Sequence, residues 1–123
     1  MRMAKVKHIK ITNGDKTSSN FFEFCDSFKT RMRGLMFRKR PAYLYFTFDL
    51  EDLNPIHSFF VLFPFDAIYL NSAHKVVGVF ESVQPFTAYI EPKQVNTILL
   101  ETPAGFVKDM QIKEGDKLKI EIE

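Results

Sequence analysis

The stretch 57–70, HSFFVLFPFDAIYL, constrains the fold of this chain more than any other. Its Phe, Val, Leu and Ile residues leave neither face of an extended segment polar, which is the pattern of a strand covered on both sides. Inside it sit His57, Ser58 and Asp66, three groups that are costly to bury unless each finds a partner. Pro64 divides the run: a central strand cannot spare an N–H there, so two short strands or a sharp bend are predicted.

The segments on either side read mainly as strands. Residues 5–11 put Val6 on one face and Ile9 and Ile11 on the other, an imperfect alternation that a bulge near His8 or a two-sided strand accommodates. Asn13-Gly14 favours a tight turn, and 17–25 is the return strand with Phe22 and Phe24 inward. Asp26 or Ser27 caps a short helix to about Met36, with Phe28, Met32, Leu35 and Met36 on one apolar stripe and Gly34 weakening its end. Strands follow over 43–48 and 95–101, with a second hairpin over 66–81 and an irregular connection over 82–94. Thr102-Pro103 resembles a helix start, opening a single turn through Met110, and the closing KLKIEIE turns Leu118, Ile120 and Ile122 to one side.

Seven or eight short strands, turn signals every ten residues or so and one or two short helices make a mostly β (β-rich α+β) chain. The expected architecture is a small sandwich or partly closed barrel, a single domain over 1–123. At 123 residues with 14 Phe, no Trp and 46% hydrophobic residues, the core should be bulky and aromatic without help from disulfides or metal. A net charge of +2 is too small to point to nucleic acid or a membrane. The single cysteine, Cys25, has no internal disulfide partner and suits a reducing compartment. The basic start lacks the apolar stretch of a signal peptide, and no run approaches the ~18 apolar residues of a membrane helix, so the expected location is the cytoplasm.

Four residues are candidates for a ligand site: Arg33, His57, Ser58 and Asp66. The Arg33 guanidinium matches a carboxylate or phosphate through two parallel bonds, so it can orient an anionic ligand or form a structural pair with Asp66 or Glu101. Asp66, shielded by apolar neighbours, can be an acid or base, or accept backbone N–H bonds at a bend. His57 can carry protons and Ser58 can hydrogen-bond a ligand, but adjacent strand residues point to opposite faces, which argues against a Ser58–His57 dyad. Cys25 reads as a buried small residue. His8, His57 and His74 show no metal-ligand spacing, and the Asp49, Glu51, Asp52 loop is short of ligands for calcium, so neither metal nor cofactor is expected.

Six positive charges fall within residues 29–40, and Phe37 or Tyr43 could stack on a base, but the acidic loop around Asp52 balances them and argues against nucleic acid. Gly-rich phosphate loops are absent. The leading expectation is a non-enzymatic binding module for a small polar or anionic ligand or a peptide. Two alternatives stand beside it. One is an enzyme using His57 and Asp66 as acid and base with Arg33 on developing negative charge. The other is an interaction or homo-oligomeric module using the aromatic segment 82–91 with Phe86 and Tyr89.

RGLMFR over 33–38, HSFFVLFPFDAIYL over 57–70, LLETPAG over 99–105 and EGD over 114–116, in this order and spacing, resemble the conserved family known as domain of unknown function 192. The likeness spans about residues 20–123. It implies a compact β-rich domain of the leaderless, archaeal type, whereas bacterial relatives are often exported. The family's central motif usually carries a Trp and a Met-Lys-Asn segment where this chain has Phe60, Val61 and Leu62, so a role resting on those polar positions does not carry over. The resemblance implies no particular reaction or ligand.

Overall fold

A computed structural model of the chain describes residues 5–27, 30–31 and 34–123. The described residues include seven strands, β1 Lys5–Asn13, β2 Lys16–Cys25, β3 Leu44–Asp52, β4 Phe65–Leu70, β5 Val76–Val83, β6 Asn96–Pro103 and β7 Lys119–Ile122, and a short helix, α1 Phe106–Met110. They form a single curled sheet in the order β5-β4-β6-β3-β2-β1-β7. Its two ends approach each other: Lys75 bridges Lys117, and the Val76 N–H donates to the Asp116 carbonyl at 2.7 Å. The mostly β, partly closed barrel expected from the turn spacing is therefore what the chain adopts.

Alternation along the strands divides the apolar residues between two cores, one on each face of the sheet. Ile9, Ile11, Phe22, Tyr45, Ile68 and Leu100 pack on one face, which α1 covers with Phe106, Val107 and Met110. Leu44, Phe46, Ala67, Tyr69 and Leu99 pack on the other, beneath Leu35, Val61 and Ile90 from the connecting segments. Because β4 is covered on both faces, all six of its residues are buried.

The first hairpin keeps an unbroken register from Lys5 against Phe24 to Asn13 against Lys16, so no bulge forms at His8. Gly14, at φ 62, opens a two-residue loop, a geometry that favours glycine. Asn13 instead ties the hairpin to the far end of the chain, donating to the carbonyls of Met110 and Gln111 and to the Asp116 carboxylate. β2 then pairs with β3 in parallel, which requires a crossover. Within that crossover Ser27 and Thr30 exchange backbone-to-side-chain bonds at 3.0 and 3.2 Å, the reciprocal pattern of a helix cap, and Thr30 and Arg31 are helical. Phe28 and Met32 of the expected stripe lie outside the described residues, whereas Leu35 is buried.

Two expectations need correction. The first half of 57–70 is not a strand. Ser58 lies in a turn closed by the Val61 N–H on its own carbonyl, Phe60 takes φ 65, and Phe59, Phe60 and Leu62 are exposed. The second correction is that Thr102 and Pro103 end β6 rather than open a helix. Pro103 pairs with Phe65 at the end of the ladder, and Gly105, at φ 103, is the residue that turns the chain into α1. No helix among the described residues is long and apolar enough to cross a membrane.

Candidate functional site

Asp66 and Ser58 are both buried, and their polar atoms are committed to the backbone. Asp66 lies on the face of β4 that carries Ile68 and Leu70 and meets α1. Its Oδ1 accepts the Ser82 N–H at 2.8 Å, and its Oδ2 accepts those of Gly105 at 3.2 Å and Val107 at 2.9 Å. A helix start leaves its first N–H groups without intrahelical partners, and Gly105 has no side chain to cap them. Asp66 supplies that cap from another strand, with its charge favourably placed at the positive end of the peptide dipoles.

Ser58 Oγ donates to the Gln84 carbonyl at 2.6 Å and accepts the Thr87 N–H at 2.6 Å, while its backbone N–H donates to the Thr87 carbonyl and its carbonyl accepts the Phe86 N–H. The serine thus clips the irregular segment 84–87 onto the turn at 58–61.

The opposite face of the sheet holds an open cleft of about 400 Å³. Its walls are mainly Leu35, Met36, Phe46, Phe48, Pro55, Ile56 and Phe60, and its polar lining comes from Arg31, His57 and Glu101. Gly34 shapes one wall: at φ +41 a side chain would be strained, and a Cβ there would stand 3.3 Å from the Phe46 ring. His57 is exposed at the mouth. Its Nδ1 accepts the Phe59 N–H at 3.2 Å, which leaves the proton of the neutral ring on Nε2.

Glu101 sits between Leu44 of β3 and Ala67 of β4 and is 6% exposed. Among the described residues, no hydrogen bond reaches its carboxylate. Burial pushes its carboxyl up to about 8, partly offset by the Arg38 guanidinium. The nearby arginines have partners of their own. Arg38 grips Glu23 with both terminal nitrogens and donates from Nε to the Gly34 carbonyl at 2.9 Å. Arg31 donates to the carbonyls of Asp26 and Thr47 at 3.1 and 2.9 Å and lies 3.4 Å from the Asp49 carboxylate.

The outer surface is aromatic. Phe37, Phe60 and Phe86 are 67%, 50% and 63% exposed. All three hold left-handed backbone, at φ 60, 65 and 64. Phe37 and Phe60 stack with centroids 5.1 Å apart, and the Phe37 N–H donates to the Phe60 carbonyl at 2.8 Å. For bulky residues such a backbone costs of order 1–3 kcal/mol each and persists only where its surroundings impose it. Tyr89 is also exposed, and its hydroxyl bonds the Glu91 carboxylate.

Of the four residues singled out in the sequence, His57 is the one among the described residues that lines the cleft. Asp66 points to the other face, Ser58 is buried beside Gln84 and Thr87, and Arg33 lies outside the described residues. The His57–Asp66 pair required for acid–base chemistry does not share a cavity. Glu101 entered the sequence reading solely as a partner for Arg33, yet it is the buried acid of the cleft. The available signal was a charge directly after Leu99-Leu100 in a strand otherwise apolar at its centre.

Comparison with known proteins gives a consistent picture of kinship. The profile of DUF192, described as uncharacterized ACR, matches residues 9–120. A UPF0127 protein of Pyrococcus horikoshii is 40% identical over 96 residues, covering 76% of this chain and 82% of the relative. One from Pyrococcus furiosus is 35% identical over 98 residues, 78% and 83% of the two chains. Among solved structures, a candidate transcription regulator of Sinorhizobium meliloti superposes with TM-score 0.88 at 21% identity, over 97% of this chain and 96% of that one. A protein of unknown function from Novosphingobium aromaticivorans gives 0.84 at 19% identity, over 93% and 84%. At these identities the structural likenesses speak for the fold.

Proposed function

Since the chain belongs to the DUF192 family, whose description carries no reaction, we propose from its own geometry that it is a non-enzymatic binding module. Its ligand is a small molecule or a peptide side chain with an apolar body, held in the cleft beside β3 and β6. The observation that carries this reading is the cleft itself: about 400 Å³, walled by aromatic and aliphatic side chains, with a few polar groups. Ligand pockets have this composition and fall in this size range. The aromatic rim supports it, because Phe37 and Phe60 keep an unfavourable backbone while leaving much of their rings in water. Among the described residues, the polar groups around the cleft, Arg31, His57 and Glu101, do not make a nucleophile, a base and an orienting third group. In this reading the module works in the cytoplasm, which its free cysteine suits.

A ligand-observed NMR screen of small aromatic and aliphatic fragments tests the proposal, run on the wild type and on Met36→Trp, which fills the cleft from its wall. Fragments that bind the wild type and are lost in the variant support it. A set of hits indifferent to the substitution, or no hits at millimolar concentration, rejects it.

A further inference from the structure

We propose that the cleft selects an ammonium-bearing ligand, with Glu101 as the anion that receives it. The inference rests on the binding reading above and adds the chemistry of the ligand. Three observations carry it. Glu101 is 6% exposed and lines the cleft. Among the described residues nothing donates to its carboxylate, whereas the guanidinium groups of Arg31 and Arg38 are each already engaged with a carboxylate and with backbone carbonyls. A buried carboxyl without donors is costly, and a ligand that brings an N–H donor or a positive charge removes that cost. The apolar walls formed by Leu35, Phe46 and Ile56 then fit an alkyl or aryl body attached to the ammonium, and His57 offers its Nε2–H at the mouth to an acceptor on the same ligand.

Among the described residues the charge balance favours a cation. Arg31 is offset by Asp49 and Arg38 by Glu23, so the charge left in the described lining is negative when Glu101 is ionised. Around Glu101 the flanking strands present Leu44 and Ala67, which do not titrate. Among the described residues, the titratable groups that sense it are Cys25, Tyr69 and Arg38, and His57 and Arg31 share its cleft. Burial raises both the Cys25 thiol and the Tyr69 hydroxyl, so of these three buried groups Glu101 is the one that changes charge between pH 7 and 9.

The experiment measures dissociation constants by NMR for phenethylamine, 2-phenylethanol and 3-phenylpropionate, which share an aromatic body and differ in charge. N-acetyl-lysine methylamide runs in parallel, to separate a free amine from a lysine side chain as the source of the ammonium. Phenethylamine should bind at least tenfold more tightly than 3-phenylpropionate at pH 9. Its affinity should rise by roughly tenfold from pH 7 to 9, as the binding-competent, ionised fraction of Glu101 grows. Glu101→Gln should abolish that rise while leaving 2-phenylethanol within twofold. Equal affinity of the three probes, or the same pH profile in wild type and E101Q, overturns the assignment of Glu101 even if 2-phenylethanol still occupies the cleft. Failure of all the probes to bind would overturn the cleft reading as well. The wild-type pH profile keeps the test decisive should the E101Q variant fold poorly.

Discussion

Replacing Asp66 by asparagine is the sharpest test of how this fold closes. The wild-type carboxylate accepts three backbone N–H groups, one through Oδ1 and two through Oδ2, at 2.8, 3.2 and 2.9 Å. Asparagine offers one carbonyl oxygen and one NH2, so whichever way the amide turns, a donor faces either Ser82 or the Gly105–Val107 pair. Hydrogen bonds to charged acceptors contribute about 1.5–3 kcal/mol, and a buried N–H left without a partner costs about 1–3 kcal/mol. These quantities overlap, so D66N should lose about 2–4 kcal/mol, and Asp66→Ala, which abandons all three N–H groups, about 4–6 kcal/mol. Against a total stability of roughly 6–18 kcal/mol for a chain of this length, the alanine variant approaches unfolding. Urea titration followed by circular dichroism measures both, and an unchanged m-value would show that the native state is lost as one unit. In the native state, exchange of the Val107 and Ser82 amides should accelerate first in D66N. A D66N protein within 1 kcal/mol of wild type at equal m would refute the view of Asp66 as the cap that fastens α1 to the sheet.

Ser58→Ala should cost about 1–3 kcal/mol, because the Gln84 carbonyl and the Thr87 N–H both lose a partner; urea unfolding measures the loss, and Thr87 amide exchange should locate it. Phe60→Gly should leave stability within about 1 kcal/mol, as relief of the left-handed backbone offsets the lost stack on Phe37, while fragment binding in the cleft weakens at least fivefold by NMR. Glu101 should make stability depend on pH. Its carboxyl is held up to about 8 against 4.5 unfolded, so the native state keeps a proton that the unfolded chain releases. This contribution is full below pH 4.5 and is lost as pH rises through 8, at up to about 1.4 kcal/mol per pH unit; subtracting the E101Q urea profile should isolate it. The Cys25 thiol, which burial raises to about 12, should resist iodoacetamide at pH 8 in the native protein and react only when denaturant opens the fold, as mass spectrometry would show.

The fold was largely legible because strand alternation and turn chemistry are local. Gly14 at the first turn and the period-2 pattern of 118–122 need no knowledge of the rest of the chain. The segment 57–64 was not legible for the opposite reason. Its hydrophobicity matches a buried strand, but its conformation is set by groups distant in sequence: Phe37 bonded to Phe60, and Thr87 and Gln84 bonded to Ser58. The helix start was misplaced because proline is welcome both at a first helical turn and at a strand end, and nothing local distinguishes the two at Pro103. His57, which lines the cleft, stands out in the sequence because an imidazole bordering an apolar run is conspicuous. The burial of Glu101 beside the cleft is not legible in the sequence, because a single charge in a strand reads as solvated until the packing on its two neighbouring strands is known.

Burial alone does not distinguish the buried polar groups of this protein; partnership does. Ser58, Asp66 and Glu101 are all nearly inaccessible. The first two have backbone donors or acceptors within 3.2 Å of their side-chain oxygens, and removing them should damage the fold. Glu101 faces a cleft, and no described residue donates to it, so removing its charge should relieve the native state at alkaline pH rather than weaken it. Substitution at the three positions should therefore give opposite signs of stability change at pH 9: loss for S58A and D66N, gain for E101Q. A loss at all three would mean that Glu101 is as firmly built into the fold as Asp66, and that its placement beside the cleft is a consequence of packing.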